Sequence, residues 1–416
     1  MSVSTEDFAA PADLTAPPSR PHGRCARFRS GYAARLAHAA GITIFEDFAA
    51  AEPIWRNFEA QAAGTAFQSF DWLSIWHRHV GQAAGIEPAI AVVSRQGETL
   101  LLAPFGIERK LGLRRLIWLG GKLADYKAPL LARDFSTHVS EREFPALWHQ
   151  LRAALPPHDL VMLEDQPVSL GTPEHPIANP FAALTSDEAP DVAYVFDLPA
   201  DFESFSKRYR PETRRADRAK WRKLTAEGEV TFRFATSPEE RCEMTERVLA
   251  RKAAQLAAQG ISSIFTDPRH LAAWRELAML PEDRRLLEVA ELRLNGEFLS
   301  GSVGHYRNGR STLMVHTYDP ARLPKLSPGR LHLLRLIQSS IERGVGVYDL
   351  SVGYLPYKES FCDQPTEMRN LITATSPLGL PAAPALRAGQ ALKRFVKNDE
   401  RLMSAVQTLR GLRAKK

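Results

Sequence analysis

The sequence predicts an α/β protein built from two similar units. The first observation is an ordered series of strand, strand, strand, helix and strand between residues 286 and 350. The second is a shorter series of strand, glycine turn, strand and strand between residues 89 and 119, which suggests an internal repeat. The third is size, because 416 residues with 44% hydrophobic composition exceed one ordinary domain and supply a sizeable core.

Turn residues mark the elements of the C-terminal unit. Asn295-Gly296 and Asn308-Gly309 each separate two alternating apolar runs, which is the strongest short signal for a hairpin. Apolar residues at helical spacing from Leu331 to Ile341 predict a helix, and Gly344 supplies its C-terminal stop. The predicted strands of this unit are 286–294, 298–306, 311–318 and 345–350.

The start of that helix is suited to binding an anion. Ser327 can cap the helix, Pro328 suits its first position, and Gly329 lets a ligand approach the backbone closely. Free amides and the positive end of the helix dipole point at the same place, and Arg330 adds a formal charge. These four residues therefore predict a site for a phosphorylated cofactor, although many surface helices also begin with Ser-Pro.

Short motifs over residues 195–375 resemble those of the CelD-type or BioF-like acetyltransferase branch of the GNAT superfamily. The motifs are Phe196-Asp197-Leu198-Pro199, Tyr318-Asp319-Pro320, Leu326-Ser327-Pro328-Gly329, Asp349-Leu350-Ser351-Val352-Gly353 and Tyr357-Lys358-Glu359-Ser360-Phe361. The resemblance implies tandem GNAT-like halves with mixed central sheets flanked by helices, as in the related Fem-type peptidoglycan aminoacyl transferases. It also implies that acetyl-CoA or another acyl-CoA is the co-substrate.

The resemblance assigns the cofactor to the second half. The amides from Ser327 to Arg330 are expected to hold the diphosphate of CoA, and the backbone of the preceding strand is expected to follow the pantetheine arm. The expected cofactor-binding residues are His316, Thr317, Tyr318, Ser327, Pro328, Gly329 and Arg330.

Candidate catalytic residues follow the final strand of this unit. Asp349 is expected to act as a base or an orienting group, Lys358 as a charge clamp on an anionic acceptor, and Tyr357 as an acid. His305 or His316 could be the general base if it faces the cleft. Three alternatives stay open: the histidines are buried structural residues, Asp349 pairs with Lys358, or either one pairs with Arg330.

Positive charge is concentrated on one predicted helix. Nine Lys or Arg lie between Lys207 and Lys223, against two acidic residues. Arg214 and Arg218 share one side of this helix and are expected to bind an anionic substrate. A solvated helix face, tRNA phosphates and an anionic membrane surface are the other interpretations.

Breaker residues divide the chain into four parts. Residues 1–41 form a basic tail expected to be disordered, and residues 42–190 form a first half that ends in a Pro-rich linker. Residues 191–376 form the second half, and residues 377–416 form a basic helical tail. The first half has no Ser-Pro-Gly helix start, so it is expected to bind no cofactor. Its Asp125-Tyr126 pair resembles a motif of the family's first half and is expected to line the acceptor pocket, with a turn between strands as the alternative.

Composition limits the class of protein. No apolar run is long enough to span a bilayer, which predicts a cytoplasmic protein, with peripheral contact at the inner membrane surface left open. The three cysteines lack a disulfide or zinc spacing, and no ligand cluster predicts a metal. The family resemblance implies acyl-CoA-dependent N-acylation of an amino group on a sugar or envelope-polysaccharide precursor. Aminoacyl transfer from charged tRNA and a non-catalytic role in polysaccharide synthesis are the alternatives.

Overall fold

The computed structural model describes residues 40–173, 175–362, 365–399 and 402. Most of the predicted N-terminal tail lies outside these residues. Ala40 and Gly41, its last two residues, already belong to the first strand, which pairs with residues 94 and 95. The predicted disorder therefore does not extend to residue 41.

The first sheet is mixed and is built mainly from the N-terminal half. Its neighbouring strands run in the order β1, β2, β3, β4, β6 and β13, with β5 paired to β3. Only β4 and β6 run parallel. Its strands are β1 (Ala40–Phe45), β2 (Glu87–Arg95), β3 (Glu98–Lys110), β4 (Leu113–Trp118), β5 (Leu130–Leu131), β6 (Leu160–Pro167) and β13 (Met368–Ala374).

The second sheet is also mixed, in the order β7, β12, β11, β10, β9 and β8. Only β11 and β12 run parallel. The predicted hairpins are confirmed, because Asn295-Gly296 and Asn308-Gly309 all have positive φ angles between the paired strands. The strands are β7 (Ala193–Asp197), β8 (Val230–Phe234), β9 (Leu287–Leu294), β10 (Glu297–Arg307), β11 (Arg310–Tyr318) and β12 (Val347–Val352).

Helices flank both sheets. They are α1 (Phe48–Glu59), α2 (Phe70–Trp76), α3 (Phe135–His138), α4 (Phe144–Ala154), α5 (Phe202–Ser206), α6 (Pro211–Ala226), α7 (Pro238–Ala258), α8 (Pro268–Ala278), α9 (Pro328–Glu342), α10 (Pro356–Glu359) and α11 (Ala382–Asn398). The helical segment between residues 66 and 81 is interrupted at Ser69. Ser69 has an extended backbone that separates a 3₁₀ turn from α2, and its hydroxyl caps α2. A π-helical turn follows α2.

One strand crosses from the second half to the first sheet. β7, at the start of the second half, pairs with β12 within the second sheet. β13, at the end of the second half, pairs instead with β6 of the first sheet. The boundary predicted at residue 376 therefore does not coincide with the boundary between the sheets, because residues 368–374 complete the first one.

The segment between β6 and β7 is not a free linker. Ala189 donates its backbone N–H to Met368 of β13, and Asn179 donates to Val168. Phe181 is fully buried against Phe105 and Trp118 of the first sheet. The proline-rich composition that predicted a linker thus reflects an irregular segment packed along the first half.

A continuous apolar core joins the halves. Trp72 of α2 packs on Trp274 of α8 and on His305 of β10, with ring centroids about 6.0 Å apart in both pairs. The large rings at this interface are fully buried, so it resembles a domain interior more than a hinge. No helix among the described residues is long and apolar enough to cross a bilayer.

Candidate functional site

The strands β11 and β12 separate after a short parallel contact. They pair at Arg310 with Val347, Ser311 with Tyr348 and Thr312 with Asp349, and the pairing then stops. Beyond this point β12 pairs only with β7 and β11 only with β10. The strands thus open a cleft at their carboxyl ends, where ligands of α/β sheets collect.

A β-bulge shapes the open edge of β11. Its register with β10 shifts between Val303 and Gly304, so that Met314 is the extra residue. Gly304 is required here, since a Cβ at that position would lie 2.2 Å from the carbonyl oxygen of Thr312. The bulge bends β11 away from β12 at the start of the cleft.

Backbone groups of β11 point into this cleft. Asp319 donates its N–H to the carbonyl of Leu299 in β10. Successive residues of a strand direct their N–H and C=O groups to opposite sides, so those of His316, three residues earlier, face away from β10. Lys252 of α7 donates to the His316 carbonyl at 3.1 Å, and burial lowers the pKa of this lysine. The cleft therefore combines an open strand edge with one half-buried amine.

The N-terminus of α9 opens beside the same cleft. Ser327 has a φ of 53° and does not cap the helix, so the prediction of a serine cap is wrong. Its left-handed backbone directs the hydroxyl to Lys220, which donates to Oγ at 2.9 Å. The first helical bond is from Leu331 to Ser327, and within the described residues the amides of Gly329 and Arg330 have no acceptor.

Arg330 does not add a free charge to this terminus. Its guanidinium pairs with Asp217 of α6, with Nε 2.8 Å from Oδ1 and Nη2 2.9 Å from Oδ2. The same group lies over the rings of Tyr209 and Phe361. The ion pair neutralises the Arg330 side chain and links α6 to α9. Only the backbone amide of Arg330 is therefore available to bind an anion.

The predicted cofactor residues meet at Gly329. It is buried, and a Cβ there would lie 3.1 Å from the ring of Tyr318 and 3.4 Å from that of His316. Pro328 and Thr317 are also buried, whereas Tyr318 is 39% exposed and borders the helix start. The turn and the strand edge thus form one surface, partly covered by the tyrosine ring.

Asp349 lies at the centre of a buried network between the halves. It is fully buried and accepts hydrogen bonds from Tyr126 Oη at 2.7 Å and Arg310 Nη2 at 2.8 Å. Thr312 Oγ1 and the Ser351 N–H donate to it at 3.2 and 2.7 Å. Because its oxygens are fully engaged, Asp349 suits the orienting role better than the role of base, and neither Lys358 nor Arg330 pairs with it.

Asp125 lies next to this network and has an altered acidity. It accepts a hydrogen bond from the hydroxyl of Ser351, two residues past Asp349, where β12 has already left β11. Burial raises its pKa to about 6, against the lowering effect of the Ser351 bond. Ser351 holds a left-handed φ of 61°, which its N–H bond to Asp349 stabilises.

Lys358 is buried behind the same strand. Its ammonium donates to the backbone carbonyls of Val352 at 2.9 Å and Ser351 at 3.3 Å, and burial lowers its pKa to about 8. Binding an anionic acceptor would need an exposed ammonium, whereas the ammonium of Lys358 is buried. Its two hydrogen bonds instead hold the end of β12 in place. Tyr357 is partly buried in α10, and burial raises its pKa to about 12, which keeps its phenol protonated.

Of the two predicted histidines, His305 is buried and His316 is half-buried. His305 is 2% exposed between Phe67 and Trp72, its ring nitrogens have no partner in the described residues, and burial lowers its pKa to about 3. The ring of His316 bonds to Ser300, and burial lowers its pKa to about 4. Burial therefore argues against direct proton transfer by His305.

A basic groove of about 850 Å³ runs between α6 and α9. Arg214 and Arg218 line it as predicted for an anion site, together with Arg215, Arg222 and Arg335. Among the described residues no carboxylate pairs with these five guanidinium groups, and Arg335 stacks on Trp221 at 3.8 Å. The groove begins at Leu331, one turn from the uncapped start of α9.

A second cleft, of about 370 Å³, opens between the halves. Tyr126 and Arg310 of the buried network line it, and so do the polar residues Thr65, Thr366 and Glu367. Tyr126 thus borders this cleft, and its assignment to an acceptor pocket stays a prediction. Within the described residues no group of three or more His, Cys, Asp or Glu could hold a metal ion.

Sequence reasoning missed several members of the site. Arg310 directly follows the Asn308-Gly309 turn, where a charged residue is usually solvated. Only its parallel pairing beside β12 brings it to Asp349. Ser351 lay inside a quoted motif and could have been noted for its hydroxyl, whereas nothing in the local pattern singled out Lys220 or Lys252.

The C-terminal half matches a known family model. Residues 211–359 are matched by the model of the acetyltransferase (GNAT) domain. The match lies within the second half and spans the basic helix, the uncapped turn, Asp349 and Lys358. No curated protein matches the sequence.

Solved structures resemble the chain as a whole. The crystal structure of FemX aligns with a TM-score of 0.54 at 9% identity, covering 83% of this chain and all of FemX. A tandem GNAT protein from the clavulanic acid biosynthesis pathway aligns at a TM-score of 0.42 and 11% identity, covering 81% and 99% of the two chains. The likeness to FemX shows the fold alone, and the predicted tandem GNAT-like α/β class is confirmed.

Proposed function

We propose that this protein is an acyl-CoA-dependent N-acyltransferase of the GNAT type. The observation that carries the proposal is the uncapped start of α9 beside the open edge of β11. Two free amides at the positive end of a helix suit a diphosphate, and an open strand edge suits the amide-bearing pantetheine arm. The GNAT domain match supports the same reaction class.

The chain's own residues would hold CoA at three places. The amides of Gly329 and Arg330 would bind the diphosphate, with Lys220 adding charge through its position at Ser327. The basic groove, which begins one turn along α9, would receive the phosphorylated nucleotide end. The bound thioester supplies the activated acyl group.

Proton removal from the acceptor is assigned to Asp125. An attacking amine must lose a proton, and a base with a pKa near neutrality does this best. Asp125 has a pKa of about 6 and lies where β12 parts from β11. Its neighbours Tyr126, Asp349 and Arg310 are locked by hydrogen bonds, so they would hold the base in place.

The acceptor class is an amine on a sugar or an envelope-polysaccharide precursor. The cleft between the halves supports this class, because Thr65, Thr366 and Glu367 offer polar groups suited to hydroxyls. Arg310 could in addition meet an anionic substituent at the same cleft. A thermal-shift screen of CoA esters, followed by coupled assays with amino sugars, tests both substrates.

Replacing Gly329 tests the cofactor site. In Gly329→Val, the added side chain meets the rings of Tyr318 and His316 and displaces the free amides. Losing one charge-assisted hydrogen bond costs about 1.5–3 kcal/mol, so we expect acetyl-CoA affinity to fall about 10- to 100-fold by isothermal titration.

Gly346→Ala is the matched control, since its added Cβ would meet only a backbone oxygen 4.0 Å away. It should bind acetyl-CoA like the parent protein. If Gly329→Val is folded and binds acetyl-CoA with unchanged affinity, the diphosphate site lies elsewhere.

Aminoacyl transfer from charged tRNA is the second candidate function. The observation in its favour is the set of unpaired arginines along the basic groove, which suits RNA phosphates as well as a nucleotide. If tRNA is the donor, binding should weaken steeply with salt. Arg214→Ala with Arg218→Ala should then reduce the salt slope by about 0.7–0.9 per lost phosphate contact.

Filter binding of tRNA across a salt series measures that slope. Arg133→Ala with Arg142→Ala, two exposed arginines of the first half, is the control for net charge. An equal effect of both double variants, or no tRNA binding at low salt, would remove this candidate. Heat of acetyl-CoA binding separates the acyl-CoA-dependent function from a non-catalytic role.

A further inference from the structure

An apolar face of α11 is turned to solvent. Leu392 and Phe395 are each 62% exposed, and Leu378 and Leu380 in the turn before the helix are exposed to nearly the same degree. These four side chains are called the α11 apolar face below. Ala385 and Ala388 extend it along the helix at the same helical spacing and are also exposed.

The opposite side of α11 is firmly attached to the first half. Ala383 and Leu386 pack on Leu160 and Ile372 of the sheet edge. Three ion pairs hold the helix to the segment before β7: Arg387 with Asp187, Arg394 with Glu188 and Lys397 with Asp191. The helix therefore cannot turn its apolar side inward without breaking these contacts.

Positive charge lies next to the α11 apolar face at Lys393 and continues in the sequence after the helix. Lys393 lies exposed between Leu392 and Phe395 in sequence and forms no ion pair in the described part of the chain. From residue 400 to 416 the sequence carries five basic residues and one acidic residue. Large apolar side chains next to Lys and Arg residues are typical of helices that lie in a membrane interface.

We infer that the α11 apolar face docks on the surface of an anionic lipid bilayer. Leu392 and Phe395 would enter the acyl boundary while Lys393 and the basic residues after it meet lipid phosphates. A second copy of the chain fits this face less well, because a two-fold pair would bring Lys393 and the following cations of both copies together. This inference is independent of the proposed reaction.

Vesicle co-sedimentation of the full chain tests the inference. We expect binding to vesicles of phosphatidylcholine mixed with phosphatidylglycerol, and at least about tenfold weaker binding to phosphatidylcholine alone. Leu392→Ser with Phe395→Ser should lower the partition onto anionic vesicles about tenfold or more, since burying each side chain drives insertion. Both residues are exposed, so circular dichroism should show an intact fold.

Leu111→Ser is the matched control, because Leu111 is 94% exposed in the turn between β3 and β4. It should bind anionic vesicles like the parent chain. Absence of binding to anionic vesicles, or equal binding by the double variant, would overturn the inference. A change in sedimentation velocity on Leu392→Ser and Phe395→Ser, with vesicle binding unchanged, would identify a second copy as the partner and overturn it as well.

Discussion

Asp125→Asn is expected to lower kcat by about 10²- to 10⁴-fold, the usual loss when a general base is removed. The asparagine can still accept the hydrogen bond from Ser351, so the buried network keeps its geometry while the basic oxygen is lost. Affinity for acetyl-CoA should change little, because the uncapped turn of α9 is built from other residues. Steady-state kinetics together with titration of acetyl-CoA separate the two effects.

The pH dependence gives a sharper readout of the same residue. Burial raises the pKa of Asp125 to about 6, and the base acts only when ionised, so kcat/KM should rise with pH through that value and level off above it. In Asp125→Asn this acidic limb should disappear. Asp134→Asn is the control, since Asp134 pairs with His138 on the exposed surface of the first half and should keep both the limb and the rate. An unchanged limb in Asp125→Asn would assign the base to another group.

Local chemistry accounts for what the sequence predicted well. Asn-Gly pairs specify their turns through positive φ angles, so the hairpins at Asn295 and Asn308 could be predicted without any tertiary contact. The helix of the second half followed from its apolar spacing. These elements placed the start of α9 and the end of β12 close together, which is the basis of the candidate site.

Tertiary pairing accounts for what the sequence did not predict. The pairing of β13 with the first sheet depends on which open sheet edge the strand meets, and an apolar run does not encode its partner. Ser327 has the composition of a cap but a left-handed backbone, and backbone angles are set by the preceding loop. His305 looked catalytic because its residue type titrates near neutrality, yet its burial depends on rings from the other half.

The crossing of β13 into the first sheet also explains why the site is rigid. Asp125 and Tyr126 come from the first half, whereas Arg310, Asp349 and Ser351 come from the second. Because β13 of the second half completes the first sheet, the halves cannot separate without exposing a strand edge. Residues contributed by the two halves are thereby held in one fixed network, as preorganised catalysis would require.

Asp349→Ala is expected to lower the free energy of unfolding by about 3–5 kcal/mol, because it leaves a buried arginine without its partner. Arg310 is bonded to Asp349 through Nε and Nη2, and Tyr126 and Thr312 would lose their acceptor as well. Chemical denaturation followed by fluorescence and by circular dichroism measures the change and tests whether the halves still unfold together.

Glu203→Ala is the control for Asp349→Ala, since Glu203 pairs with Lys207 on an exposed helix face. Removing that surface pair should change the free energy of unfolding by less than about 1 kcal/mol. Asp349→Asn adds a test of mechanism, because its amide can keep the Tyr126 bond while the ion pair with Arg310 is lost. If Asp349→Ala were as stable as the parent chain, the network at Asp349 would not hold the halves together, and Asp125 would need another support to remain against the cleft.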